Sequence, residues 1–206
     1  MSEDTKSAAP AAAADYELFP TDYFAPLDLG QVFPRSGSLE VDIGCGDGAF
    51  LVARAERHPE RNFLGLEKLA GRVWRGCKKA SRLGLTNVRF LRIEGSYALQ
   101  YLLPPGSVEM VHLLFPDPWP KSKHRRRRMV TPEFLILVHR LLVANGRFRI
   151  VTDQENYFEK MRLLISADMF LETEPSAGET FPITTFEKHF LADGAPIYRI
   201  VLRKVG

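Results

Sequence analysis

Short apolar runs at residues 39–43, 62–66, 88–93, 108–114 and 147–151 are separated by segments whose apolar positions recur with helical spacing, at 50–57, 69–83, 97–103, 132–142 and 155–167. The runs are brief, rich in Val, Ile, Leu and Phe, and bounded by turn residues, as expected of strands buried on both faces. Two more extended pieces, near 170–174 and 197–203, follow the last helix. Regular alternation of strand and helix predicts an α/β fold with a mostly parallel sheet and helices on both faces. Ligands of such sheets bind beyond the carboxyl ends of the strands, where the strand order reverses, so chemistry is expected in the loops that follow residues 43, 66, 93 and 114.

At 206 residues, 45% hydrophobic and 26% charged, the chain holds enough apolar material for one filled core. Residues 1–14 are rich in Ala, Ser and charge and lack a pattern that could offset ordering entropy; they read as a flexible tail before a single domain at 15–206. Pro20, Pro26 and Pro34 mark an irregular lead-in to the first strand. Two cysteines, Cys45 and Cys77, are too few for a disulfide framework and have no metal-binding spacing, which predicts a reducing, cytoplasmic setting and no metal. No apolar stretch is long enough for a signal peptide or a membrane span, so a soluble protein is expected. Monomer and homodimer both remain open.

The net charge of +3 changes the picture only once it is divided along the chain. Lys121, Lys123, Arg125, Arg126, Arg127 and Arg128 carry six positive charges, so the remaining residues sum to −3. One concentrated basic segment on a mildly acidic body suits a local contact with a polyanion.

The first strand ends in Asp42-Ile43-Gly44-Cys45-Gly46-Asp47-Gly48. Its glycines allow a sharp turn and close approach of backbone amides to a ligand, Gly44 and Gly46 above all. The third glycine comes one residue too early for G-x-G-x-x-G, and the lysine and hydroxyl of a P-loop are missing. Asp42 would repel a pyrophosphate but suits a cofactor carrying an ammonium and a sulfonium, such as S-adenosylmethionine. Glu67, at the end of the second strand, is placed to accept hydrogen bonds from ribose hydroxyls. Glu94, with Gly95 and Ser96, ends the third strand within reach of an adenine; alternatively, Glu94 serves as a helix N-terminal charge.

After the fourth strand comes Phe115-Pro116-Asp117-Pro118-Trp119-Pro120-Lys121. Three alternating prolines fix their own φ angles and bias their neighbours toward extended geometry, which holds Asp117 on a stiff arm. The basic run then leads to Thr131-Pro132-Glu133, the chemistry of a helix start. A connection this long in a compact α/β domain is generally functional. Its arginines are placed to grip phosphates while Trp119 or His124 meets a sugar or base.

These segments, together with Pro26-Leu27-Asp28, Leu64-Gly65-Leu66-Glu67, Thr152-Asp153 and Thr184-Thr185-Phe186-Glu187, closely resemble the bacterial tRNA (guanine-N7-)-methyltransferase family. The most specific stretch is F-P-D-P-W-P-K with its clustered arginines. The resemblance implies a Rossmann-like class I methyltransferase fold with an antiparallel strand near the C-terminus. It also implies methylation at N7 of the variable-loop guanine, tRNA position 46, with S-adenosyl-L-methionine as donor. It assigns cofactor contacts to Asp42, Glu67, Glu94 and Asp117, with Asp117 catalytic. It assigns the substrate to Lys121, Asp153, Thr184, Thr185, Phe186 and Glu187, and the RNA backbone to Lys123, His124, Arg125, Arg126, Arg127 and Arg128. At residues 42 and 94 the family more often has Glu and Asp. Thr152 with Glu155, and Thr184 with Glu187, also have capping-box spacing and so could simply start helices. Three rivals stand beside this reading: a methyltransferase of small molecules or proteins, a non-catalytic RNA-binding protein and, least favoured by the glycine spacing and Asp42, an NAD-dependent oxidoreductase.

Overall fold

The computed structural model describes residues 12–119, 128–175 and 179–206. Its sheet has eight strands: β1 (Glu17–Leu18), β2 (Leu39–Ile43), β3 (Asn62–Glu67), β4 (Val88–Arg92), β5 (Val108–Leu114), β6 (Leu142–Thr152), β7 (Phe170–Thr173) and β8 (Tyr198–Lys204). Their order is β1-β4-β3-β2-β5-β6-β8-β7. The pairings from β1 through β6 are parallel, and β8 runs antiparallel between β6 and β7. From β2 the chain builds outward to β3 and β4, then returns to the other side of β2 to add β5 and β6. The order therefore reverses between β2 and β5, which is where a crevice forms above the strand ends.

Alternate residues of each strand face opposite sides. On one side Leu39, Val41, Ile43, Leu64, Leu66, Val111, Leu113, Phe148 and Ile150 form a single apolar cluster. It is covered by the turn after β4 and by helices α5 (Pro132–Leu141) and α6 (Glu155–Leu164), through Leu99, Phe134, Val138, Phe158 and Met161. On the other side, helices α2 (Ala49–Arg57) and α3 (Ala70–Arg82) cover β3 and β4 through a smaller cluster that includes Leu51, Val73 and Cys77 against Phe63 and Phe90. Glycine is required around Phe90. A Cβ on Gly48, Gly65 or Gly76 would lie 2.7–2.8 Å from its ring, and Gly48 also has φ +72°.

The structure departs from the sequence expectations in several places. Ala13 and Ala14, assigned to the tail, belong to a 3₁₀ turn (Ala13–Tyr16) that seats buried Tyr16 in the smaller cluster and leads into β1, a two-residue strand too short to show a pattern. Strand β6 starts at Leu142, not 147, because buried Leu142 already pairs with Val108 ahead of a register shift. Helix α6 stops at Leu164, short of 167, where a turn closed on the Ser166 carbonyl takes over. The helix expected at 97–103 is a short α turn, α4 (Gly95–Tyr97), widening into a π turn at Ala98–Leu102. A four-residue helix, α1 (Leu29–Val32), is capped by Asp28 in the lead-in. Among the described residues no helix is long and apolar enough to cross a membrane.

Candidate active site

A cleft of about 640 Å³ opens above the strand ends. Its wall includes Asp42, Gly44, Gly46 and Phe50 from the β2–α2 turn, Glu67 and Lys68 after β3, Glu94 and Gly95 after β4, Phe115, Asp117 and Trp119 after β5, and Thr184, Thr185 and Phe186. Residues that are distant in sequence, among them Asp42, Glu67, Glu94 and Asp117, thus share one space. Gly44 and Gly46 have φ +73° and +57°, and a Cβ on either would meet nothing within 4 Å. Their backbone is bent by left-handed geometry and left open toward the cleft.

Glu67 is 5% exposed and braces the turn: its Oε2 accepts from the Gly46 N–H (3.2 Å) and its Oε1 from the Leu69 N–H (2.9 Å). A carboxylate offers about four acceptor sites, so both oxygens keep capacity for a hydroxyl. Glu94 caps α4, accepting from the Tyr97 N–H at 3.0 Å, and still faces the cleft. The helix-terminal reading of this residue is thus what the geometry shows. Ser96 is half-buried and off the cleft wall; Gly95 takes that place. Cys45 lines the cleft as a thiol that burial keeps protonated, so it is no nucleophile.

Asp42 is 2% exposed, and its Oδ1 has no hydrogen-bond partner among the described residues. Burial raises its pKa to about 7, against the pull of the Arg149 guanidinium and with a push from Glu67. A buried carboxyl with an unsatisfied oxygen on a cleft wall is costly and calls for a ligand-borne partner. The strand register continues this row. Asp42 sits beside His112 of β5, and His112 beside Arg149 of β6. His112 Nδ1 and Arg149 Nη1 are also buried without hydrogen-bond partners among the described residues.

Two residues before Asp42, on the same face, Glu40 is fully buried and accepts from Arg54 of α2, from Arg61 at 2.9 Å and from His112 Nε2 at 2.9 Å. Burial pushes its carboxyl up, but the His112 and Arg54 hydrogen bonds outweigh this and hold it well below the usual carboxylate range. Glu40 can only accept, so His112 carries its hydrogen on Nε2; burial, which outweighs Glu40, keeps the ring neutral. Residues 179–184 strap across this polar layer. Glu179 pairs with Arg147 and lies 3.7 Å from Arg54, Arg54 Nη1 donates to the Thr180 carbonyl, and the Phe181 ring stacks 4.2 Å from the Arg149 guanidinium. The strap delivers α7 (Thr185–Ala192) to the cleft. Its capping box joins Thr184 and Glu187, and Glu187 is buried against Arg199. The other capping-box spacing does not form: α6 is capped by Gln154 without a side-chain bond, and Thr152 Oγ1 instead accepts from the Gln154 N–H.

The loop after β5 leaves the strand through Phe115, a non-glycine residue at φ +52°, whose ring packs against Phe186 and Phe190 of α7. Trp119 also has positive φ, +41°. Left-handed geometry at bulky residues is strained and persists only where the surroundings enforce it. Asp117 between them is exposed into the cleft. Arg128, assigned to the RNA by the resemblance, turns back in this structure: its Nε donates to the Pro118 carbonyl at 2.7 Å and its guanidinium sits 4.6 Å from the Tyr157 ring centre. It braces the loop that carries Asp117. Asp153 is half-buried and off the cleft wall, and Glu187 lies behind it, engaged with Arg199. Lys121, Lys123, His124, Arg125, Arg126 and Arg127 lie outside the described residues. No group of His, Cys, Asp and Glu suited to a metal occurs among the described residues.

The sequence reading missed Lys68, Arg72 and Arg75 on the cleft wall and the layer of Glu40, Arg54, His112 and Arg149 beneath it. A signal existed: each of these buried residues is a charged or imidazole side chain inside an otherwise apolar strand or helix stripe.

Comparison with known proteins agrees with this geometry. Residues 36–200 match the family model described as "Putative methyltransferase". A tRNA (guanine-N(7)-)-methyltransferase of Leifsonia xyli is 37% identical over 200 residues, covering 94% of this chain and 88% of that protein. Its namesake in Sodalis glossinidius is 35% identical over 89% of this chain and 80% of the relative. Among solved structures, the 16S rRNA methyltransferase KamB superposes with a TM-score of 0.62 at 17% identity, covering 87% of this chain and 93% of its own. A Streptococcus mutans protein described as a methyltransferase and solved with SAH superposes at 0.54 with 12% identity, over 82% and 90%. The fold is that of the class I S-adenosylmethionine-dependent methyltransferases, and the chain belongs to the tRNA (guanine-N7-)-methyltransferase family.

Proposed function

We propose that the protein transfers a methyl group from S-adenosylmethionine to N7 of the variable-loop guanine of tRNA. The observation that carries this reading is the buried Asp42 carboxyl, with one oxygen unpartnered, on a cleft wall shared with Glu67 and Asp117. That site suits a cationic cofactor and disfavours a phosphate-bearing one. When bound, S-adenosylmethionine supplies an electrophilic methyl: the in-plane lone pair of N7 forms the new C–N bond as the C–S bond breaks, and no proton moves.

The chain's own residues need only bind, orient and compensate charge. Asp42 faces the cationic donor, Glu67 accepts from ribose hydroxyls across the turn, and Glu94 brackets the adenine end. Asp117, on its proline-flanked arm, orients the guanine or stabilises its cationic product. Phe115, Trp119 and Phe186 exclude water around it. Thr184 and Thr185 contact the nucleotide from the cleft wall, Lys121 and Asp153 are assigned to the substrate as well, and residues 123–127 meet the RNA backbone.

The test is incubation with unmodified tRNA and tritiated methyl donor, followed by chemical cleavage at N7-methylguanine. A single break in the variable loop is the expected result. Incorporation elsewhere, or none into tRNA, would overturn the assignment.

A further inference from the structure

The outer face of α3 reaches the cleft through Arg72 and Arg75 and extends well beyond it. The helix buries Val73, Gly76, Cys77 and Ala80 and turns Arg72, Arg75, Lys78 and Arg82 outward, and it contains no acidic residue. Lys79 is engaged by Asp47, and Arg72 lies 3.6 Å from Glu67. Among the described residues, Lys68, Arg75, Lys78 and Arg82 have no carboxylate within ion-pair distance. Trp74, 45% exposed, lies on the same outer face with Lys78 Nζ 5.9 Å from its ring centre.

Basic residues in a helix's last turn are explained by the helix dipole, and Lys79 and Arg82 fit that account. Lys68, Arg72 and Arg75 do not, since they crowd the N-terminal half, where the dipole makes a cation unfavourable. These three also line the mouth of the cleft. A basic ribbon with an exposed indole therefore begins at the active-site rim and follows 13 residues of helix, about 20 Å at 1.5 Å per residue. Spaced cations beside an aromatic face match a nucleic-acid strand, which offers regularly placed phosphates and bases that stack.

We infer that the face formed by Lys68, Arg72, Trp74, Arg75, Lys78 and Arg82 is a second RNA-binding surface, which holds the tRNA beside the cleft, in addition to the basic run at 121–128. This rests on the tRNA reading above and adds to it a place on the protein. RNA is favoured over an acidic protein partner because the ribbon is continuous with the cleft that receives the target nucleotide.

The test combines Trp74→Ala, Lys78→Ala and Arg82→Ala, three exposed changes off the cleft wall. Filter retention of tRNA is measured across a salt series, with calorimetry of S-adenosylhomocysteine and thermal melting alongside. The expected result is tRNA affinity about tenfold weaker. The log–log salt slope should flatten by about 2, since each lost phosphate contact removes about 0.9. Cofactor affinity and melting should stay unchanged. Trp74→Phe with Lys78→Arg and Arg82→Lys should behave as wild type. An unaltered affinity and slope in the triple alanine variant would overturn the surface, including in favour of an acidic protein partner. Methylation of tRNA by the wild type is followed in parallel. Turnover with an unmoved slope sinks this surface alone, whereas a moved slope without any turnover sinks the proposed function and leaves the surface standing.

Discussion

On one face of the central strands, Val41, Ile43, Val111, Leu113, Phe148 and Ile150 pack as a continuous apolar layer, while on the other Glu40, Asp42, His112 and Arg149 are buried almost as deeply. The same three strands build both. The apolar face gains stability by removing area from water, whereas buried charge costs free energy unless every group is paired. Glu40 is paired with Arg54, Arg61 and His112, but the row nearest the cleft keeps three atoms unpartnered among the described residues. In these central strands the division of labour is spatial: one side is packed with apolar residues, and the opposite side places charge beneath the cleft and fixes the strap that carries α7.

The largest expected effect breaks the comparison on its apolar side. Phe148→Ala should destabilise the fold by about 4 kcal/mol, read by denaturant melts, while the folded fraction keeps its turnover number. Loss of turnover in fully folded protein would mean the two faces are not separable. Next, Asp117→Ala should lower kcat about a hundredfold or more and leave cofactor affinity and melting nearly unchanged; equal losses in kcat and cofactor affinity would remove it from the reacting end of the cleft.

Asp42 gives a smaller, pH-dependent effect. Its pKa is raised from 3.8 to about 7, so in the ligand-free fold the carboxyl is mostly protonated below pH 7. The sign for stability follows: the penalty of the buried carboxylate is absent below about pH 4, grows as pH rises toward 7 and is complete above it. Binding a cation needs the ionised form. Affinity for S-adenosylmethionine should therefore rise with pH up to about 7, by at most about tenfold per unit, and then level off. Calorimetry in two buffers of different ionisation enthalpy should register proton release below pH 7, and Asp42→Asn should flatten the profile. A flat wild-type profile would show that Asp42 is not opposite the cation.

The smallest effect sharpens the polar side. Phe181→Ala removes the ring stacked on Arg149 and should cost only about 1 kcal/mol of stability while raising the KM for tRNA several-fold, because the strap into Thr184 and Phe186 loosens. Unchanged KM with the same melting shift would leave the strap a structural element only.

Most of the strand–helix alternation was legible because apolar runs and helical spacing leave independent traces. The glycine turn, Glu67 and the loop bearing Asp117 were also readable, since each breaks a local rule at a strand end. Less visible were features that depend on register. Nothing in the spacing of Asp42, His112 and Arg149 along the chain says that they stand side by side; hydrogen-bonding partners decide that. Arg128 shows the converse. Within a basic run it is indistinguishable from its neighbours, yet the Pro118 carbonyl and the Tyr157 ring engage it locally. Strand ends and helix ends drifted by a few residues wherever a bulge or a tight turn, not composition, set the boundary.

The Phe90 ring, enclosed by Gly48, Gly65 and Gly76, has a consequence for anyone reshaping this scaffold. Those four positions form an interlocked unit beside the β2–α2 turn, so a Cβ added to any one of the three glycines forces the ring or its surroundings to shift. A smaller residue at position 90 would lift only part of that constraint: a Cβ on Gly65 would still meet Cys45 Sγ at 2.7 Å, and Gly48 keeps a left-handed φ of +72° that favours glycine whatever replaces the ring.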